Sequence, residues 1–347
     1  MLKRLQLLPQ GPRIVIFVFM VVGGLLLLGG VTFFLITATL NSSPRQTSQG
    51  LLETITVAQL AALPDNDAYP STVAAGADGT VYTASFATGA VWAISPDGAT
   101  VTEIPNTRDR FDGVTALAVR PDNTLLAVGF TANGERGVWA VYTVTPAGEI
   151  AEFGRVDDAQ GFVSPFDITI DRDGGVYVVD RSRADIWRWE PSGGAGELWW
   201  SMLTPPDNAA EGNTERPAPT GIAYDALTDS LLVTDPDANT VVRIPRDRSG
   251  SQVIFRSADE RFPPGLDGIA VAPDGTIYVT ALDQKGVARI VPESTELAYI
   301  AGNFRGPSDL AILPDGRLVV ANFDSAALVQ PGIEPQLPFA LDVVAFE

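Results

Sequence analysis

The chain has no cysteine and no histidine among its 347 residues. Without cysteine there is no disulfide, no thiolate nucleophile and no zinc-thiolate centre. Without histidine there is no imidazole base for Ser-His-Asp or Cys-His catalysis, and no His-ligated zinc. Basic residues are scarce as well: 23 Lys and Arg stand against 42 Asp and Glu, a formal charge of −19. A nucleic-acid groove needs a clustered positive field, and no Lys/Arg-rich block occurs, so nucleic acid is not an expected partner. Whatever chemistry the chain performs must rest on carboxylates, amides, hydroxyls, Lys, Arg or Tyr.

What is abundant points elsewhere. Hydrophobic residues make up 46% of the chain, enough for a sizeable core, and 33 Gly with 26 Pro imply many turns. That combination favours an all-β fold.

Residues 14–40, "IVIFVFMVVGGLLLLGGVTFFLITATL", carry no charge. At about 1.5 Å per residue, 20 of them already cross a hydrocarbon core of about 30 Å, so a single transmembrane helix is expected. The apolar part of a cleaved signal peptide is much shorter, at roughly 7 to 15 residues. Lys3, Arg4 and Arg13 precede the span and only Arg45 follows it closely. The excess of positive charge belongs on the cytoplasmic side, which leaves the bulk of the chain outside the cytoplasm as a single-pass cell-membrane protein. Gly23 and Gly30 lie two helical turns apart and share a face that a partner helix could approach closely. The expected organisation is a basic cytoplasmic tail (1–13), the span (14–40), a polar linker (41–50) and a folded domain (51–347).

The domain repeats itself. "YPSTVAAGADGTVYTAS" (69–85), "GVTALAVRPDNTLLAVG" (113–129), "SPFDITIDRDGGVYVVD" (164–180), "APTGIAYDALTDSLLVTD" (218–235), "GLDGIAVAPDGTIYVTA" (265–281) and "GPSDLAILPDGRLVVAN" (306–322) share one pattern. Their turn residues Asp78, Asp122, Asp173, Asp229, Asp274 and Asp315 are 41 to 56 residues apart. Six units of that period signal a propeller or solenoid. In each, a short apolar run meets a turn of the Pro-Asp-Gly type and then a second run rich in Val, Ile, Leu and Tyr. Third strands follow at 89–98, 184–193, 239–250 and 285–294, and fourth strands at 99–104, 148–153, 196–200, 251–255 and 296–301. Four antiparallel strands per unit, six times over, predict a six-bladed β-propeller; a sandwich or another solenoid accounts less well for six near-equal units. In the sixth unit no clear fourth strand follows "AALVQ" (326–330), so either 53–60 or 340–346 is expected to complete it.

The pattern "xPxGIAVxPDGxIYVxD" followed by "NxVxRI" resembles the NHL-repeat and gluconolactonase/regucalcin-like propellers over residues 65–330. The resemblance implies a Glu, two Asn and an Asp around a divalent cation at one end of the central channel. There the metal activates water or polarises a lactone carbonyl, and calcium or another hard divalent cation suits such ligands. The corresponding ring here is Ser71, Thr115, Phe166, Thr220, Asp267 and Ser308. Only Asp267 matches a family ligand; Ser71 stands where the family places Glu, and Phe166 and Thr220 where it places Asn. One carboxylate among hydroxyls is a poor divalent site.

Asp167 and Asp309 sit one position further along, and Asp180, Asp235 and Asn322 end second strands. They either gather a calcium ion or bond strand-end amides, and the second role is the commoner one. "DPDANT" (235–240) opens like an EF-hand loop but has Thr240 where that loop needs Gly and Arg246 where it needs Glu, so it reads as a blade turn. Long crossovers at 105–113, 154–164 and 201–219 are recognition elements or tolerated insertions. Trp199 and Trp200, before the last, either bind a partner or pack between blades. The expectation is therefore a membrane-anchored binding or scaffold propeller, an accessory subunit of a larger membrane assembly with protein partners. The alternative is a metal-dependent lactonase or esterase-like hydrolase with Asp267 as its one inherited ligand.

Overall fold

The computed structural model describes residues 46–133, 136–209, 216–291 and 294–347. The basic tail, the expected span with Gly23 and Gly30, and linker residues 41–45 lie outside them. Among the described residues, no helix is long and apolar enough to cross a membrane.

Two strands come first, β1 (Gln49–Gly50) and β2 (Ile55–Ala62). Blade 1 is β3 (Pro70–Ala75), β4 (Val81–Ser85), β5 (Val91–Ile94) and β6 (Val101–Glu103), and a single helical turn, α1 (Thr107–Arg110), leads out of it. Blade 2 is β7 (Gly113–Val119), β8 (Leu125–Asn133), β9 (Arg136–Val144) and β10 (Ile150–Val156). Blade 3 is β11 (Pro165–Ile170), β12 (Val176–Asp180), β13 (Asp185–Trp189) and β14 (Gly194–Ser201). Blade 4 is β15 (Ile222–Asp225), β16 (Ser230–Asp235), β17 (Thr240–Pro245) and β18 (Gln252–Arg256). Blade 5 is β19 (Leu266–Val271), β20 (Ile277–Ala281), β21 (Gly286–Ile290) and β22 (Leu297–Gly302).

The sixth blade corrects the sequence reading. "AALVQ" is no strand: α2 (Ala326–Val329) lies there. After β23 (Pro307–Ile312) and β24 (Leu318–Asn322), the third strand is β25 (Ala340–Phe346) and the fourth is β2. Both candidate segments are therefore used, the N-terminal one pairing antiparallel with the C-terminal one from Ile55↔Phe346 to Ala62↔Ala340. The ring is thus closed by main-chain hydrogen bonds between the two ends of the domain, which removes a free sheet edge at the closure.

Residues 46–50, placed in the linker on sequence, bond to the domain. Gln46 N–H donates to Gln336 Oε1 (2.7 Å), Ser48 Oγ to Asp342 Oδ2 (2.7 Å) and Asn303 Nδ2 to Thr47 O (2.7 Å). β1 then adds a fifth strand to blade 5. The described chain is thus held to the domain from Gln46 onward.

The hairpin turns follow from their residues. Asp78, Asp122, Asp274 and Asp315 each accept the backbone N–H two residues on, at 2.9 to 3.1 Å. This bond, first among the causes, holds the Asp274 carboxyl below its usual range. Gly275 then takes the left-handed φ of 86° that a side chain would resist.

The core lies between blades. One apolar cluster joins blades 1 and 2 around Tyr82, Phe111 and Tyr142, and others follow at each junction through to blades 5 and 6. Tyr69 against Phe339, with ring centroids 4.6 Å apart, continues the packing across the closure. Blades 2 and 3 are also joined at their outer edges, where β10 pairs parallel with β14 from Gly154↔Gly194 to Val156↔Gly196, making one eight-stranded sheet.

Candidate functional site

The six innermost strands run the same way round the axis, so their first residues meet at one mouth of the central channel. The crossovers between blades and the turns after each second strand lie on that same side. Register slips at the start of five of the six inner strands, at Pro70/Thr72, Val114/Ala116, Pro165/Asp167, Leu266/Ile269 and Pro307/Asp309. The ring residues Ser71, Thr115, Phe166, Asp267 and Ser308 are the bulged positions. A bulge frees a side chain from the alternation of the strand and re-aims it.

Most of the freed hydroxyls reach to the neighbouring blade. Ser308 Oγ donates to Ser71 O (3.1 Å), Ser71 Oγ to Val114 O (2.9 Å) and Thr220 Oγ1 to Leu266 O (3.5 Å). Thr115 is different, for its hydroxyl is buried without a partner among the described residues. Phe166 has no hydroxyl to give and stands partly exposed under the Arg181 guanidinium, 5.7 Å from its ring centre.

Two carboxylates one position deeper complete the stitching. Asp167 accepts Ile168 N–H (2.7 Å) on one oxygen and, on the other, Ile222 N–H (2.8 Å) of blade 4. Asp309 does the same with Leu310 N–H (2.8 Å) and with Val73 N–H (2.8 Å) of blade 1, and also accepts Thr72 Oγ1 (3.0 Å). The two belong to blades 3 and 6, opposite each other in a ring of six. Where blades 4 and 5 carry glycine at this depth, buried threonines of the second strand take over. Thr234 Oγ1 accepts Gly221 N–H (2.8 Å) and Thr280 Oγ1 accepts Gly268 N–H (2.7 Å). Only glycine fits there, since a Cβ on Gly268 would lie 2.6 Å from Asp309 Cα.

Enclosure raises all three channel carboxylates. Burial, helped by the charge of Asp309, lifts Asp167 well above the ordinary range, and burial moves Asp309 up to about 6. Asp267 rises to about 7, chiefly by burial, while the neighbouring Thr220 hydroxyl and the Arg181 charge pull the other way. Beneath the ring, a cavity of about 290 Å³ runs between Leu117, Ile168, Ile222 and Ile269, with Asp167 and Asp309 on its wall.

The donor set does not fit a divalent cation. The oxygens of Asp167 and Asp309 are engaged by backbone amides, and the hydroxyls of Ser71 and Ser308 by carbonyls. Asp267 is left as one carboxylate beside Thr220, far from the six or more oxygens that calcium takes. Among the described residues, no three acidic side chains gather as metal ligands.

No family model and no curated protein sequence matches the chain. Solved structures do. A gluconolactonase from Xanthomonas campestris aligns over 88% of this chain and 99% of its own at 15% identity, with a TM-score of 0.61. A streptogramin B lyase aligns over 84% and 98% at 14% identity, with a TM-score of 0.56. Virginiamycin B lyase from Staphylococcus aureus, solved with quinupristin, aligns over 84% and 100% at 14% identity, with a TM-score of 0.57. The fold is that of a six-bladed β-propeller. At such identities the likeness extends to the fold alone.

Other expected residues of the propeller sort as follows. Trp199 is 5% exposed and packs edge-on against Tyr177 in the core between blades 3 and 4, so it cannot present itself to a partner. Trp200 is partly buried beside it. Asp180 accepts the amides of Val163 and Ser164, Asp235 those of Ala218, Asp237 and Ala238, and Asn322 Oδ1 that of Arg305. These are strand-end and turn bonds, and "DPDANT" is a blade turn. Sequence reasoning missed Arg181, Thr234 and Thr280, which sit on second strands or just beyond them and meet the ring only once the blades are stacked.

Proposed function

We propose that this chain is a membrane-anchored, extracytoplasmic propeller that works as a binding module, an accessory part of a larger membrane assembly. The observation that carries the reading is the use of the channel ring. Three of its four hydroxyls, and two of the three channel carboxylates, bind backbone groups of adjacent blades, which is the work of a rigid scaffold. The charge-free stretch 14–40, with its basic flank, supports the anchor.

The alternative, a lactonase or related hydrolase, is favoured by Asp267, a mouth carboxylate raised to about 7 on a fold shared with a gluconolactonase. A general base works best with a pKa near the working pH. Lyase chemistry of the virginiamycin type has less support. The solved lyase is a histidine-to-alanine form described as catalytically inactive, and this chain has no histidine.

Purification from native membranes in mild detergent is expected to bring down a stoichiometric membrane protein with the propeller. Purification as a lone monomer would overturn the assembly. A lactone panel with added calcium or manganese is expected to give no turnover. Metal-dependent turnover that vanishes in Asp267→Ala would establish the hydrolase instead.

A further inference from the structure

The point at which the folded domain begins fixes which of its sides can meet a bilayer. Gln46 is held at the mouth side of the propeller. Its N–H bonds Gln336, whose own N–H bonds Asp324 Oδ2 (2.8 Å), just after β24, and Thr47 is bonded by Asn303 at the top of β22. The apolar stretch ends at Leu40, so five residues, 41–45, join it to Gln46. Fully extended, that length of chain reaches at most ~20 Å. The inner strands that separate the mouth side from the turn side are 4 to 7 residues long, roughly 13–23 Å at ~3.3 Å per residue, with the turns beyond them. A tether led to the far side would be spent on the way, whereas at the mouth side it has its whole length to spare.

The mouth side has the side chains for such a position. Phe86, Val163, Phe166, Leu203, Phe262 and Leu337 are all exposed there, Phe262 at 55% and Leu203 at 52%. Phe86 stands edge-on to Phe323, with centroids 5.5 Å apart. The opposite side carries the Asp-rich hairpin turns, with Leu227, Val291 and Phe346 exposed singly among them. We infer that the channel mouth faces the membrane, with these apolar side chains resting on the phospholipid interface. The inference rests on the anchored reading of residues 14–40. Asp259, Asp283 and Asp324 share this side with Arg181, Arg261 and Lys285, and the Arg181 and Arg261 guanidinium groups stand over Phe166 and Phe262, so both signs of charge meet the headgroups.

The absence of cysteine makes the test clean. The full chain is reconstituted into phosphatidylcholine vesicles with a single environment-sensitive fluorophore, either on Glu260→Cys beside Phe262 or on Asp247→Cys in the β17–β18 turn at the far side. A quencher attached to the lipid headgroup is then added. Expected is loss of most of the emission at position 260 and little at 247. Equal quenching at the two sites, or stronger quenching at 247, in a chain that floats with the vesicles would overturn the orientation alone. A chain that does not float with the vesicles would overturn the anchor, and this inference with it.

Discussion

Asp267→Asn should make the propeller more stable, by an amount that grows from pH ~4 and is complete above about 7. Asp267 has no backbone amide to offset its burial, and its pKa stands at about 7 against 3.8 for the free side chain. A folded-state pKa above the unfolded value means that the folded chain binds the proton more tightly. Its contribution to stability is full below pH ~4 and is lost as the pH rises through about 7, the reverse of an ion-paired aspartate. Three pH units at 1.36 kcal/mol each set a ceiling of about 4 kcal/mol on the penalty at pH 8. Solvent in the channel mouth screens part of it, which brings the expected gain for the amide to ~1–3 kcal/mol.

Urea unfolding of the native chain and Asp267→Asn at pH 3 and pH 8 checks this. At pH 3 the carboxyl is protonated in the folded chain and largely so in the unfolded one, so the two forms should unfold nearly together, while at pH 8 the variant should unfold at higher urea. Parallel stability curves at the two pH values would refute the argument, because the carboxylate would then be as well solvated in the fold as out of it. A variant that gains stability while losing partner binding would show that the buried charge is kept for function.

Three further substitutions probe how the blades are held together. Thr115→Val replaces a buried hydroxyl that lacks a partner with a group of equal shape, and should raise unfolding stability by about 1 kcal/mol in urea titration. Gly268→Ala places a Cβ 2.6 Å from Asp309 Cα and 2.8 Å from Ser308 O, and should lower the urea midpoint by an amount worth ~3 kcal/mol or prevent folding. Arg246→Met removes the cation that meets Asp171 (3.1 Å) and Asp229 (2.9 Å) and also contacts Asp173. Because the Asp171 carboxylate is fully enclosed, the expected loss is about 2 kcal/mol by thermal or urea unfolding, less than for a wholly buried pair since Arg246 reaches solvent.

Period and turn chemistry carried the fold into the sequence. Asp274 and Gly275 name a hairpin because one accepts the Thr276 amide and the other tolerates a φ of 86°. The ends were harder. "AALVQ" is apolar enough for a strand, yet β25 takes the third place in blade 6 because its partner β2 arrives from the far end of the domain, and pairing at that separation leaves no local signal. The bulged ring positions could be read one blade at a time. Their roles could not, since Thr234 meets Gly221 and Asp309 meets Val73 only when neighbouring blades are side by side.

The seams between blades explain why the polar ring is irregular. Blades 6 and 1 are joined by Ser308 and Asp309, blades 1 and 2 by Ser71, blades 3 and 4 by Asp167, and blades 4 and 5 by Thr220. At the seam between blades 2 and 3, the inner ring offers only the unpartnered hydroxyl of Thr115. That is the seam where β10 and β14 pair along the outer edge, with Gly154 and Gly196 letting the Trp189 ring lie close between them. Main-chain bonds at the rim there stand in for side-chain bonds at the axis. Between blades 5 and 6 the ring residue is Asp267, a carboxylate with no proton to donate to the next carbonyl while it is charged. Thr280 Oγ1 reaches Ser308 O at 3.4 Å instead, and Gly268 brings the two inner strands into contact. Asp267 is therefore the ring position whose charge the scaffold does not need, and that gives it first claim to a role outside the fold.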